Sequence, residues 1–319
     1  MQVNGSDEKD PSAGDGPKFG VIILNWNGME DTLECLSSLK RNAYSNMELI
    51  VVDNASHDGS VTSIKGRFND VTVIENKSNL GFCEGFNRGI EYALDRGAEY
   101  IACLNSDIIV DEHFIQELAN AGSGINDLGA LCPKEYQYYS CSVLNYAGGS
   151  IGIVRSKLFG NGEVDNGQYD TKRETGMLCG AAMVFKARAL LDVGLFDPRY
   201  FYNTEDKDLA IRLLRKGYKL IFVPDAKIWH KGRGATGGKI TPLTVYFSAK
   251  NNLLFVRLHG TCGEKFIFLP YYLLYHIPGL LLKCTDKLGA IKAITMAMSW
   301  HVFSFNKAGI GHVLEEGRE

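Results

Sequence analysis

Short apolar, β-branched runs alternate with segments of helical periodicity over the N-terminal third of the chain. The runs occupy residues 19–25, 47–54, 71–76 and 99–105, and turn residues follow each of them. The remaining segments predict helices at about residues 30–41, 60–68, 84–96 and 111–119. Because strands that alternate with helices form right-handed βαβ units, the sequence predicts an α/β fold with a mostly parallel sheet.

Polar residues end each predicted strand, and parallel strands bring such ends to one edge of a sheet. The ends are Asn25, Asp53-Asn54, Asn76 and Asn105-Ser106-Asp107. Open α/β sheets bind ligands in the crevice beyond these ends, so a carboxylate there could hold a metal or a sugar. A local turn that merely stops the strand is the alternative, and the Asn105–Asp107 triplet alone leaves both open.

Composition limits the kinds of protein to which such a crevice could belong. The 319 residues, 45% of them hydrophobic, suffice to bury a full core. A net charge of -3 gives no global basic field, so nucleic acid is not the expected partner. The eight cysteines lack metal-ligand spacing and are typical of reduced core residues in a cytosolic protein. Residues 1–17 are polar and rich in glycine, which predicts a disordered tail.

Asp53 is a candidate ligand for a nucleotide. A carboxylate at a strand end can accept from a nucleobase N–H or a ribose hydroxyl, although a turn carboxylate bound to local backbone fits equally well. Uracil and thymine suit such an acceptor because their N3–H is a donor. The sequence has neither the glycine-rich dinucleotide motif nor a P-loop, which argues against those two nucleotide sites.

The segment after the third predicted strand, NKSNLGFCEGFNRGI, has glycine at every fourth position. Gly81, Gly85 and Gly89 alternate there with Asn79 and Asn87. This pattern would let the backbone approach a flat ligand while the amides bind it. Close packing of a helix on the sheet explains the same spacing equally well. The spacing alone does not distinguish these two explanations.

Four motifs, VIILNWNG, LIVVDNASHDGS, NLGFCEGFNRGI and LNSD, resemble in order and spacing the inverting glycosyltransferases of family 2. The likeness is greatest to the rhamnosyltransferase-like branch and covers about residues 19–260. It implies a GT-A fold, which is a Rossmann-like, mostly parallel sheet flanked by helices. It also implies a nucleoside-diphosphate sugar donor and a divalent metal, Mg²⁺ or Mn²⁺. Taken together with the resemblance, these sequence features give the following expected donor-binding residues: Asn25, Asp53, Asn79, Gly81, Asn87, Asn105, Ser106 and Lys231.

The acidic metal motif of the family reads Asn105-Ser106-Asp107 in this chain, so only Asp107 can supply the metal carboxylate. The resemblance places His230, in IWHKG, near the metal or the diphosphate. A lone histidine beside tryptophan is more often a packed or surface residue. Lys231 and Arg233 in the following loop are expected to reach phosphate.

The second half of the chain, from GMLCGAAMVF through TEDKDL, is similar to the acceptor half of the same family. The acids at the start of TEDKDL open a helical pattern that ends at Gly217, and Asp208 is spaced to pair with Arg212. Transfer with inversion needs a base opposite the leaving diphosphate. The resemblance gives that role to Asp206, with Glu205 positioning the acceptor or the base. Simple compensation of the helix dipole is the alternative for these acids.

The predicted organisation is a tail at residues 1–17, a GT-A domain at 18–245 and a helical extension at 246–319. Within the domain, the nucleotide-sugar half covers about 18–125 and the acceptor half about 126–245. The apolar run at 266–282 is short for a bilayer span and contains two prolines. A buried hairpin, a homo-oligomer contact and an interfacial membrane anchor all fit it.

The function expected from the resemblance is transfer of a sugar from a nucleoside-diphosphate donor to a glycan or lipid-linked acceptor. The candidate base contact of Asp53 suits a UDP- or dTDP-linked donor. The resemblance also favours peripheral contact of the apolar C-terminal segment with the cytoplasmic face of a membrane. The alternative is a catalytically silent GT-A module that binds a nucleotide sugar or glycan as a scaffold. Retention of Asp107, Glu205, Asp206 and His230 favours the enzyme.

Overall fold

A mixed sheet of ten strands forms the centre of this computed structural model, which describes residues 16–232 and 240–304. The N-terminal elements are β1 (Phe19–Asn25), α1 (Met29–Lys40), β2 (Met47–Asp53), α2 (Ser60–Arg67), β3 (Thr72–Glu75), α3 (Gly81–Asp95), β4 (Tyr100–Asn105), β5 (Ile108–Val110) and α4 (Phe114–Gly122). Strand β1 pairs in parallel with β2 and β4, and β2 pairs in parallel with β3. The predicted parallel βαβ units are therefore confirmed.

The second half extends this sheet beyond β4. Its elements are β6 (Leu128–Gln137), β7 (Ser140–Tyr146), β8 (Gly149–Ser150), β9 (Lys157–Leu158), β10 (Arg173–Thr175), β11 (Ala182–Lys186), α5 (Ala187–Val193), α6 (Glu205–Arg215) and β12 (Lys219–His230). Strand β11 lies antiparallel between β4 and β6, and β12 runs parallel to β6. The strand order is β3-β2-β1-β4-β11-β6-β12-β10. Strand β5 pairs with the end of β12, which brings the residues after β4 to that strand.

Helix α3 packs closely on the parallel strands through its glycines. A Cβ atom at Gly85 would come within 2.6 Å of Leu24, and one at Gly89 within 2.5 Å of Ile22. Both glycines are buried, and the apolar face of the helix completes one core with β1 and β2. Close helix packing, rather than approach to a flat ligand, therefore explains Gly85 and Gly89.

The C-terminal region is helical, as predicted. It comprises α7 (Pro242–His259), α8 (Cys262–Tyr271), a π-helical turn (Tyr272–His276), α9 (Ile277–Lys283) and α10 (Lys287–Phe303). The elements from α8 to α9 form one helical run of 22 residues, longer than the predicted apolar segment. By length and composition this run could cross a membrane, and only 11% of its most apolar window is buried.

The predicted tail at residues 1–17 lies almost wholly outside the described residues. The carbonyl oxygens of Gly16 and Pro17 accept hydrogen bonds from the side chains of Asn46 and Tyr44. Contact with the core therefore begins just before the predicted boundary, and the domain boundaries stay predictions. All eight cysteines are free and six are buried, consistent with core positions.

Candidate active site

Asp107 and His230 meet where β5 pairs with the end of β12. Ile108 and His230 are register partners, so Asp107 lies beside the imidazole. The His230 Nε2 atom is 3.1 Å from Asp107 Oδ1, and its Nδ1 atom is 2.7 Å from Glu135 Oε1. The structure thus brings the two predicted metal ligands together and adds a third, buried side chain behind them.

Two carboxylates control the charge of His230. Burial by itself would lower the pKa of the imidazole, but the hydrogen bonds and charges of Asp107 and Glu135 outweigh it and raise the pKa to about 10. A divalent cation could take the place of the proton between Nε2 and Asp107, while Nδ1 stays bonded to Glu135. Among the described residues, no group of three or more His, Cys, Asp or Glu side chains forms a metal cluster.

Asn25 and Asp53 end adjacent strands as register partners and bind each other. Asn25 Nδ2 donates to Asp53 Oδ1 at 2.7 Å, and the other Asp53 oxygen accepts from the Ser56 N–H at 2.9 Å. Asn25 Oδ1 accepts from the hydroxyl of Thr32 at 2.8 Å. The contacts of Asn25 are therefore with the protein, and they fix the orientation of the Asp53 carboxylate.

A cavity of about 370 Å³ lies beside Asp53. Its walls come from the loop after β2, the first turn of α2 and the end of β3 at Glu75 and Asn76. Ala55 in that loop has a φ of 60°, a left-handed conformation uncommon for a residue with a side chain. The cavity lies at the strand-end edge at which a nucleotide was predicted.

Asn105 and Ser106 lie between this cavity and the Asp107–His230 pair. Asn105 ends β4 beside Leu24, and Ser106 forms the turn into Asp107. A Cβ atom at Gly28 would be 3.3 Å from Asn25 Oδ1 and 3.4 Å from Ser106 Oγ. Asn25 and Ser106 therefore border the same small space at the strand ends.

Asn79, Gly81 and Asn87 fix α3 to its surroundings. Asn79 Oδ1 accepts from the Gly81 N–H at 2.9 Å, and a Cβ atom at Gly81 would come 2.5 Å from the Phe201 ring. Asn87 bonds the backbone N–H and C=O of Phe196 at 3.1 and 2.8 Å. Donor contacts of Asn79 and Gly81 stay predictions. A donor contact of Asn87 also stays a prediction, and it would require one of these bonds to Phe196 to break.

The Lys231 side chain reaches the N-terminal part of α1. Its ammonium group donates to Asp31 at 2.6 Å and contacts Glu34, and the side chain is 5% exposed. A phosphate contact by Lys231 would require these two ion pairs to break. Arg233, the other predicted phosphate ligand, lies outside the described residues.

Glu205 and Asp206 open α6, as the helical pattern predicts. Glu205 is buried, and its Oε2 atom has no hydrogen-bond partner among the described residues. Burial and the nearby Asp206 charge raise the pKa of Glu205 to about 8, and burial also raises the pKa of Asp206. The predicted Asp208–Arg212 pair is confirmed at 2.8 Å, and His259 binds the same carboxylate at 2.7 Å.

A run of small residues before β11 joins the acid pair to the Asp107–His230 side of the crevice. Cys179 Sγ is 3.2 Å from Glu135 Oε2, and the Ala181 carbonyl accepts from the Asn105 N–H at 2.9 Å. Between them, a Cβ atom at Gly180 would lie 3.7 Å from Asp206 Oδ2. Asp206, Asn105 and Glu135 are therefore neighbours of one three-residue segment.

Glu135 was missed at the sequence level. It follows Lys134 in a mostly apolar strand, and buried charge in a strand could have indicated a special role. Asn251 on α7 is fully buried and binds the loop before α6. The resemblance has an Arg-Asn pair where this chain has Lys250-Asn251, but the sequence gives no sign of this contact.

Relatives of known activity are glycosyltransferases. N-acetylglucosaminyl-diphospho-decaprenol L-rhamnosyltransferase of Mycobacterium tuberculosis is 26% identical over 236 residues, which are 68% of this chain and 77% of that enzyme. Poly-beta-1,6-N-acetyl-D-glucosamine synthase of Staphylococcus aureus is 27% identical over 210 residues. That match covers 63% of this chain but 46% of the synthase.

Solved structures share the fold at low sequence identity. GalNAc-T7 with UDP, GalNAc and Mn²⁺ has a TM-score of 0.64 at 14% identity, over 92% of this chain and 58% of that one. Mannosyltransferase PcManGT from Pyrobaculum calidifontis, in complex with GDP-Man and Mn²⁺, has a TM-score of 0.55 at 17% identity, over 92% and 78%. These similarities confirm the predicted GT-A fold. Residues 20–190, more than half of the chain, match the family Glycosyl transferase family 2, so this protein belongs to that family and is a glycosyltransferase.

Proposed function

We propose that this chain transfers a sugar, with inversion and with help from a divalent metal, from a nucleoside-diphosphate sugar to an acceptor hydroxyl. The observation that carries the proposal is the placement of Asp107–His230 and of Asp206 around the segment 179–181. One side of the crevice can receive a diphosphate with its metal. The other side offers a carboxylate to an incoming hydroxyl.

On the metal side, Asp107 and His230 would hold Mg²⁺ or Mn²⁺, and Glu135 would orient the imidazole. The bound cation would supply positive charge to the departing diphosphate. The donor set fits this role, because a carboxylate oxygen and an imidazole nitrogen already face each other at 3.1 Å. GalNAc-T7 and the mannosyltransferase, which share the fold, hold Mn²⁺ in their solved structures.

On the donor side, the cavity beside Asp53 would receive the nucleobase. Asn25 and the Ser56 N–H each bond one carboxylate oxygen and leave lone pairs to accept the N3–H of uracil or thymine. This favours a UDP- or dTDP-linked sugar, and GalNAc-T7 contains UDP. The proposed donor site rests first on Asp53, Asn105 and Ser106. Donor contacts of Asn25, Asn79, Gly81, Asn87 and Lys231 stay predictions.

Asp206 would act as the general base. As the acceptor oxygen bonds to the anomeric carbon, its proton passes to the Asp206 carboxylate. The bond from that carbon to the diphosphate oxygen breaks, and the nucleoside diphosphate leaves with the electron pair. Because the pKa of Glu205 is raised to about 8, Glu205 holds a proton near neutral pH and leaves one negative charge on the pair. Asp206 is then free to accept the proton.

The acceptor is proposed to be a lipid-linked glycan at the cytoplasmic face of a membrane. The name of the rhamnosyltransferase relative includes a decaprenol-linked acceptor. The helical run from α8 to α9 is apolar, yet little of it is buried. At least half of each of these side chains is exposed: Phe266, Ile267, Leu269, Leu273, Leu274, Tyr275 and Leu282. A surface of this kind indicates a membrane or another protein subunit as its partner.

Two observations favour the membrane over a homo-oligomer contact. Lys265, Lys283 and Lys287 flank the exposed run, in positions that suit anionic lipid headgroups. The run also lies close to the acid pair, since Ile277 and Leu280 pack in one apolar cluster with Phe201, four residues before Glu205. Contact with a bilayer would therefore bring the acceptor side near a lipid-linked substrate.

The test is a transfer assay with purified full-length protein. UDP- and dTDP-sugars are supplied with a polyprenyl-diphospho-sugar acceptor, with Mn²⁺, Mg²⁺ or EDTA, and the linkage of the product is read by NMR. We expect product only with metal and with the anomeric configuration opposite to that of the donor. Donor binding without transfer or hydrolysis under every condition would instead support the scaffold alternative.

A further inference from the structure

The loop that leads into α6 is strained. Phe201, Asn203 and Thr204 have φ angles of 63°, 73° and 79°, a left-handed region that residues with side chains seldom adopt. Thr204 makes no side-chain capping hydrogen bond at the start of α6. Because the loop continues directly into Glu205 and Asp206, its shape decides where the proposed base lies. Contacts from elsewhere in the chain must hold that shape.

Asn251, on α7, binds this loop along its length. Its Nδ2 atom donates to the carbonyl oxygens of Tyr200, Tyr202 and Asn203 at 3.0, 2.7 and 2.6 Å. The amide has two N–H groups for these three acceptors, so one N–H is shared. Asn251 is completely buried, and its Oδ1 atom has no hydrogen-bond partner among the described residues. The amide is therefore oriented with its NH₂ group toward the loop carbonyls and its oxygen away from them.

Neighbouring contacts hold the same loop at other points. The ammonium group of Lys250 donates to the Arg199 carbonyl, and the Phe201 carbonyl accepts from the Phe82 N–H at 2.6 Å. The Phe201 ring stacks on Phe247 with centroids 5.4 Å apart. These contacts hold the start of the loop, and the Phe247 ring also meets the Tyr202 ring edge-on. Asn251 adds hydrogen bonds to the backbone carbonyls of Tyr202 and Asn203, next to α6.

We propose that Asn251 is a positioning residue for sugar transfer. By binding three carbonyls of the strained loop, it sets the position of the Asp206 carboxylate relative to the acceptor hydroxyl. Asn251 acts through the loop and does not touch the substrate. This inference rests on the proposed function, because it requires Asp206 to act in the transfer.

The direct test is Asn251→Asp, which keeps the side-chain size but turns an acceptor oxygen toward the carbonyls. Asn252→Asp is the matched control, because Asn252 is next on the same helix and its amide donates to the Ser248 carbonyl. We expect kcat to fall about 10²-fold in Asn251→Asp, the usual cost of misplacing a reacting group. The Kd for UDP with Mn²⁺ should stay at the wild-type value, and the control should keep both.

Both variants are assayed at a temperature well below their measured Tm, so that only folded protein contributes. A purely structural role would then give wild-type kcat in Asn251→Asp, and that result would overturn the inference. Absence of transfer by the wild-type protein would instead refute the proposed function.

If Asn251→Asp does not fold, two variants at the exposed Asn203 test whether the shape of the loop governs kcat. Glycine adopts a φ near 73° freely and alanine does not, so Asn203→Ala should have the lower kcat. Equal kcat values in Asn203→Gly and Asn203→Ala would show that loop shape does not govern turnover and would contradict the inference.

Discussion

The Nε2 atom of His230 lies 3.1 Å from the Oδ1 atom of Asp107, although 123 residues separate them in the chain. The pairing of β5 with β12 produces this contact, because the short β5 strand carries the turn after β4 to the end of β12. A carboxylate from the nucleotide half and an imidazole from the acceptor half thus meet in the proposed metal site.

Asp107→Asn tests the metal assignment. The variant keeps the size of the side chain but loses the charge that a cation requires, so we expect metal-dependent binding of UDP to be lost and the fold to remain intact. Calorimetric titration of UDP with Mn²⁺ and with EDTA measures this, and Asp95→Asn on the exposed end of α3 is the control. Unchanged metal-dependent affinity in a folded variant would remove Asp107 from the site.

Glu135→Gln tests the support of His230. Loss of the carboxylate at Nδ1 should weaken Mn²⁺ affinity by about 10- to 100-fold, as is usual for groups that orient a metal-bound histidine. Mn²⁺ titration followed by electron paramagnetic resonance measures it, with Glu91→Gln on the exposed face of α3 as control. Equal affinities in the two variants would show that Glu135 does not act on the metal.

The raised pKa of Glu205 predicts that the stability of the folded protein depends on pH. Its folded pKa, about 8, exceeds its ordinary value of 4.5, so between these values the folded state binds more protons than the unfolded state. The contribution of Glu205 to the free energy of unfolding is therefore fully present below pH 4.5 and is lost as the pH rises through 8. Glu205→Gln should show a smaller fall in Tm than wild type between pH 5 and pH 8.5. Parallel Tm curves would mean that Glu205 ionises normally in the folded protein.

The exposed apolar run predicts membrane binding. Tyr272 and Trp300 pack against α7, so we test the surface by substitution rather than by truncation. Leu273→Glu with Leu274→Glu should abolish sedimentation with anionic liposomes, whereas Leu191→Glu, at an exposed position on α5, should not. If the wild-type protein ignores liposomes and elutes as a dimer that the double variant disrupts, the surface is a subunit interface.

The parallel half of the fold was predictable because its strands and helices have strong local periodicity. The order of β11, β6 and β12 was not, since pairings between strands far apart in the sequence set it. The same limit applies within the site. Asp107 and Asp53 stand at recognisable strand ends, whereas the role of Glu135 depends on a partner 95 residues away. Lys231 shows the same limit, because the sequence does not reveal its ion pairs with Asp31 and Glu34 on α1.

Asp206→Asn tests the role of Asp206 as the general base. The amide keeps the shape of the carboxylate but cannot accept the acceptor proton, so kcat for sugar transfer should fall by roughly 10² to 10⁴. The Kd for the nucleotide sugar with Mn²⁺ should stay unchanged, because the proposed donor and metal site lies at Asp107, His230 and Asp53. Loss of donor affinity with wild-type kcat at saturating donor would contradict the account and would make Asp206 a donor ligand instead of the base.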